Sequence, residues 1–242
     1  MDLNLKGKHV LVTGASKGIG RACVEMLDKE GCTVLGASRS IAAGPKAKAV
    51  DISQRGAAEE LAAWAGDLDI LVNNAGAIPG GDLLKVDEET WRKAWDLKLF
   101  GYINLTRAVY AGMKQRGRGV IVNIIGAAGE KMNAAYIAGS AANASLMAFT
   151  RALGSASHAD GIRVVGINPG PVATDRLISL HKQQAETKFG DASRYEELFA
   201  GMSFGRPATP EEIANAVAFL ASERSGYTTG VILTIDGGSS AR

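Results

Sequence analysis

Thr13-Gly14-Ala15-Ser16-Lys17-Gly18-Ile19-Gly20 is the stretch whose reading decides the fold. It follows the short run Val10-Leu11-Val12 and opens an amphipathic pattern over 18–30, so it joins a strand to a helix. Glycines at such a turn let backbone amides approach a pyrophosphate and let the helix pack close to the strand. The helix start adds unpaired N–H groups and the positive end of a dipole. Three glycines alone are a weak signal. A strand before them and a helix after them favour a dinucleotide's phosphate turn over a plain strand–helix corner.

Outward from this turn the rhythm repeats. Strand patterns at 33–37, 47–50, 70–73, 120–124, 163–168 and 231–235 alternate with helical patterns at 54–65, 88–115, 134–158 and 210–221. Several strands are continuous apolar runs, the mark of strands covered on both faces. The last helix has Thr209 as its N-cap, Pro210 at its first position and Glu212 to complete a capping box. Repeated strand–helix–strand order predicts an α/β fold, a doubly wound parallel sheet of Rossmann type with right-handed crossovers. The exception is 174–203, polar and without a strand pattern, expected as a lid or mobile loop shaping the substrate pocket.

Length and composition set the bounds. The chain has 242 residues and no linker or repeat, so 1–242 reads as one domain. Net charge is +2 with acids and bases interspersed, which argues against a nucleic-acid partner. No apolar run approaches the ~18 residues of a membrane span. The chain enters a strand almost at once, without a signal peptide pattern, and a cytoplasmic location is expected. Cys23 and Cys32 have no metal-ligand company and read as buried thiols, so no metal site is expected.

The glycine spacing, Gly-x-x-x-Gly-x-Gly, resembles that of the short-chain dehydrogenase/reductase family. Further pieces match in order: Asp51-Ile52, Asn73-Asn74-Ala75-Gly76, Asn168-Pro169-Gly170-Pro171-Val172-Ala173-Thr174, Gly205-Arg206-Pro207, Thr229-Gly230 and Asp236-Gly237-Gly238. The likeness spans essentially the whole chain. It implies that Gly14, Ser16, Lys17, Gly18 and Ile19 line the phosphates and adenosine ribose. It places Asp51 and Ile52 at adenine and Asn74, Ala75 and Gly76 beside the ribose. Pro169, Gly170, Val172 and Thr174 hold the nicotinamide end. A homotetramer is also implied, with the helices over 88–115 and 134–158 pairing between subunits.

The end of the second strand chooses the cofactor. NAD readers carry an acid there for the ribose 2′-hydroxyl. Here the sequence reads Gly36-Ala37-Ser38-Arg39. With no carboxylate to repel a 2′-phosphate, and with Arg39 and Lys17 to bind one, NADP(H) is expected, with Ser38 and Arg39 among its contacts.

The catalytic positions depart from the family pattern of Asn, Ser, Tyr and Lys. Lys98 stands where the Asn belongs and Gly126 where the Ser belongs. The remaining pair can be placed in two registers. One takes Tyr136 as the Tyr and Ser140 as the Lys, which needs compensating gaps inside one helix. The other is gapless and puts Gly139 at the Tyr position and Asn143 at the Lys position. The gapless register is the simpler. Under it Tyr136, one turn before Gly139, either leans into the vacated space as a displaced acid or packs at a helix start. Lys98 either reaches the cofactor ribose or Asn143 in place of the missing charge, or points elsewhere. Tyr136, Lys98 and Asn143 are therefore the catalytic candidates. Glu130 and Lys131 read as a rim pair, while His158 and His181 have no nucleophile partner. An NADP(H)-dependent oxidoreductase for a carbonyl or alcohol substrate is expected. The alternatives are a cofactor-binding protein without redox turnover and a non-redox acid–base enzyme on the same fold.

Overall fold

The structure, a computed structural model, describes residues 2–241. Seven strands form one sheet: β1 (His9–Thr13), β2 (Thr33–Ser38), β3 (Ala47–Ala49), β4 (Ile70–Asn73), β5 (Gly119–Ile124), β6 (Ile162–Pro169) and β7 (Ile232–Ile235). Every neighbouring pair is parallel, in the order β3-β2-β1-β4-β5-β6-β7. The central strands are buried on both sides, so each feeds two cores by alternation. Val10 and Val12 of β1 face a core built with α1 (Gly18–Lys29) and α7 (Pro210–Ala221). Leu11, between them, faces the opposite core, built with α2 (Ala57–Ala65), α4 (Gly101–Arg116) and α5 (Ile137–Ser157). Cys23 and Cys32 are buried free thiols. Among the described residues no helix is long and apolar enough to cross a membrane.

The chain runs outward from β1 to β3 and then returns to lay β4 beside β1 on its other flank. The connections leaving β1 and β4 therefore part in opposite directions. They open a crevice at the carboxyl ends of the strands, the place where open α/β sheets bind ligands.

Two segments differ from the sequence-based expectation. The pattern over 88–115 is not one regular helix. It is α3 (Glu88–Trp95), a π-helical turn (Asp96–Phe100) and then α4. A π turn inserts a residue into the helical ladder and often marks a functional site. Here it buries Leu97 and Leu99 and presents Lys98, between them, to the crevice.

The second difference is 174–203, which is not a loop. It holds α6 (Asp175–Phe189), followed by 3-10 turns over Ala192–Gly201 and Ser203–Gly205. Thr174 caps α6 by accepting from the Leu177 amide, and Gly190 ends it in the left-handed conformation. Only Ala185 of this helix is buried, so its sequence lacks the apolar stripe that normally betrays a helix.

Candidate active site

The phosphate turn is tied to the end of β4. Thr13 Oγ1 accepts from the amides of Asn74 and Ala75, at 2.9 and 3.1 Å. The Asn74 carboxamide donates to the Thr13 carbonyl at 2.9 Å. Gly14 has φ +68°, and a Cβ there would lie 2.7 Å from Asn74 Nδ2. A Cβ on Gly20 would lie 2.2 Å from the Gly14 carbonyl oxygen, so the helix could not pack this close with any other residue. Helices α3, α6 and α7 each begin with a side-chain cap, from Asp87, Thr174 and Thr209. The N-terminus of α1, like those of α2, α4 and α5, has none, and of these it is the one that opens at the glycine turn. Its first-turn amides are left for an anion, which is what a pyrophosphate site requires.

A cleft of about 1060 Å³ runs from this turn across the switch point. At its adenosine end stand Lys17, Ser38, Arg39, Ser40, Val50 and Ile52. Lys17 and Arg39 are exposed, and neither is paired with a carboxylate among the described residues. The Ser38 hydroxyl is buried without a hydrogen-bond partner, and the Ser16 and Ser40 hydroxyls lie 3.2 Å apart. Two free cations, an uncapped helix and an orphaned hydroxyl fit a phosphorylated dinucleotide. Ile52 lines this end of the cleft as expected of a residue near adenine, while Asp51 Oδ1 accepts from the Ser53 amide and hydroxyl, at 3.1 and 2.8 Å.

Gly76, Pro169, Gly170, Val172 and Thr174 line the other end, together with Lys98, Tyr136 and Asn143. Tyr136 directly precedes α5. A backbone bridge to Gly81 holds it there, with the Gly81 amide donating to Ala135 O and the Ile137 amide to Gly81 O. Its ring lies over Gly139: a Cβ at 139 would be 2.0 Å from Tyr136 Cε1 and 2.1 Å from Cζ. The Asn143 carboxamide does the same at Gly126, where a Cβ would be 2.8 Å from its Nδ2. Asn143 is 2% exposed, and its Oδ1 is buried without a partner. Ser140, the lysine stand-in of the gapped register, turns away from the cleft and bonds to the backbone of Asn133.

The Lys98 stem passes over Gly76, where a Cβ would lie 2.9 Å from its Cδ. Its ammonium donates to the Ile125 carbonyl rather than to Asn143, and no carboxylate among the described residues holds it. Burial, with a smaller push from the Arg176 charge, lowers its pKa to about 8. Burial also pushes the Tyr136 phenol upward, and Arg176 opposes that shift. Arg176 itself escaped the sequence reading. It sits in the first turn of α6, lines the cleft and donates to the Ile78 carbonyl. The Thr174-Asp175 capping signal could have revealed its helix. Ser40 was missed as well and had no distinguishing mark in sequence. Of the rim pair, Glu130 accepts from Thr234 and Lys131 donates to Ser239 O, so both fasten the C-terminal segment.

This sheet order, with a glycine turn beneath a dinucleotide-sized cleft and a phenol at its far end, defines a dinucleotide-dependent oxidoreductase. The chain belongs to the short-chain dehydrogenase/reductase family. The family profile described as enoyl-(acyl carrier protein) reductase matches residues 14–240. The chain is 32% identical to the 3-oxoacyl-[acyl-carrier-protein] reductase of Vibrio cholerae, over 98% of each chain. It is also 32% identical to the acetoacetyl-CoA reductase of Allochromatium vinosum, over 94% of this chain and 96% of that one. Among solved structures, the L-sorbose reductase of Gluconobacter frateurii, complexed with NADPH and L-sorbose, superposes with a TM-score of 0.92 at 29% identity, covering 100% of both chains.

Proposed function

We propose that this chain is an NADP(H)-dependent reductase of a carbonyl substrate, and that its site works through relocated side chains. The Tyr136 ring over Gly139 supports this reading, because it brings a phenol beside the position that the gapless register assigns to the acid. When bound, the nicotinamide supplies the hydride. Tyr136 gives its proton to the carbonyl oxygen. The Asn143 carboxamide, occupying the space of a side chain at 126, orients that oxygen. The Lys98 ammonium stabilises the negative charge that develops there and holds the nicotinamide ribose. Burial keeps the phenol protonated at neutral pH, so it is a better acid than base, which favours reduction over alcohol oxidation.

The choice of NADP(H) rests on Arg39 and Lys17, which await a 2′-phosphate. Oxidation of NADPH, followed by absorbance over a panel of ketones and aldehydes, tests the reading. Turnover is expected with NADPH and not at equal efficiency with NADH. Arg39→Ala is expected to weaken NADPH binding roughly tenfold to a hundredfold and leave NADH unaffected. Tight NADPH binding with no turnover on any carbonyl would overturn the catalytic part.

The same reading takes the enzyme to be cytoplasmic and a homotetramer, with α4 and α5 pairing between subunits. Phe100, 46% exposed just before α4, supports such pairing. A monomer in light scattering would rule it out.

A further inference from the structure

Arg176 and Lys98 are two cations on the wall of one cleft, close enough for the arginine's charge to depress the lysine's pKa. Like charges brought together in a partly desolvated place are costly unless an anion joins them. The protein supplies none. Among the described residues neither cation has a carboxylate within ion-pair distance. The two carboxylates on the cleft wall are Asp175 and Asp236. Asp236 accepts from the amides of Gly238, Ser239 and Ser240, and Asp175 lies in the first turn of α6 and pairs with neither cation. Of the other cations lining the cleft, Lys131 is tied to the Ser239 carbonyl, and Lys17 and Arg39 stand at the adenosine end.

Arg176 makes a single hydrogen bond among the described residues. One terminal nitrogen donates to the carbonyl of Ile78, whose residue is 1% exposed and therefore a fixed anchor. The rest of the guanidinium has no acceptor among the described residues. A planar fork, anchored at one corner and open at the others, matches a carboxylate in two-pronged fashion. The cofactor's phosphates are already provided for at the other end, by the uncapped start of α1 with Lys17 and Arg39.

We propose that the substrate is a keto acid: a compound whose carboxylate is held by Arg176 while its carbonyl faces Tyr136 and the Lys98 ammonium. This rests on the reading of the site as a carbonyl reductase, and it adds the chemical class of the substrate. The carboxylate completes the charge balance of the cleft, and its fixed position aims the carbonyl. Arg176 is then a specificity residue for acids over neutral ketones.

The test uses the NADP⁺-loaded protein and titration calorimetry, so that binding is read without turnover. The probes are pyruvate, acetoacetate and levulinate, each beside its methyl ester; the set varies the carbonyl-to-carboxylate spacing and removes the charge. At least one acid is expected to bind roughly tenfold or more tightly than its ester. Arg176→Gln is expected to lower that acid to the level of its ester while leaving ester and NADP⁺ affinity unchanged. Arg176→Lys, which keeps the charge, is expected to retain part of the preference and guards against a folding defect in the first variant. Equal binding of every acid and its ester overturns the proposal. So does an Arg176→Gln variant that weakens NADP⁺ while keeping the acid preference, since the arginine would then belong to the cofactor. A chain that prefers acids but never oxidises NADPH refutes the reductase reading alone, and one that reduces esters and acids alike refutes only the keto-acid proposal.

Discussion

Tyr136→Phe is expected to lower kcat for ketone reduction by roughly 10²–10⁴-fold, the usual worth of a positioned proton donor. Stopped-flow absorbance at saturating NADPH checks it. The substitution is well isolated by the packing. The atoms that touch the Gly139 space are ring carbons, Cε1, Cζ and Cδ1, and phenylalanine keeps them all. Fold, cofactor affinity and the shape of the cleft should survive, leaving only the hydroxyl lost. Tyr136 also forms the backbone bridge to Gly81, but through its main chain, which the change does not alter. An unaltered kcat in the Tyr136→Phe variant would mean that Tyr136 is there to pack.

Lys98→Met is expected to cost roughly 10²–10³-fold in kcat/KM, the scale for removing one preorganised electrostatic donor. The pH dependence gives an independent reading. In the unsubstituted chain, the part of the rate that needs the ammonium falls as pH rises through about 8. Stability moves the other way. The lysine pKa drops from 10.5 to about 8 on folding, so between those values the unfolded chain binds more protons than the folded one. The unsubstituted protein should therefore gain stability relative to Lys98→Met as pH is raised across that window. The gain is complete above the unfolded value and is lost as pH falls through the folded one. Melting temperatures of the two proteins at several pH values between about 7 and 10.5 measure it. A constant difference in Tm would show that the ammonium is not desolvated.

Most of the fold was legible because its signals are local. The boundaries of β4 and α7 coincide with those read from the apolar run Ile70-Leu71-Val72 and the capping box of Thr209 and Glu212. The phosphate turn was legible for the same reason, since glycine content and spacing fix backbone geometry within a few residues. The π turn at Asp96–Phe100 was not, because one extra residue in a helical ladder leaves no compositional trace. Helix α6 was hidden by its lack of a buried stripe. With it went Arg176, whose place at the cleft depends on α6 crossing to the loop that carries Ile78. The catalytic end resisted reading for a different reason. Sequence left two registers for the tyrosine and lysine positions, and where Tyr136 and Asn143 point is a matter of three-dimensional packing.

The two glycines at 126 and 139 couple those positions to the side chains packed over them. A serine at 126 would drive its Cβ into Asn143, and a tyrosine at 139 would drive its own into the ring of Tyr136. A side chain at either position requires its neighbour to move. Either single substitution overpacks its surroundings, at a cost of about 1–3 kcal/mol. Residues 126 and 143, and residues 139 and 136, therefore constrain each other in pairs, and substitutions within each pair are expected to be non-additive.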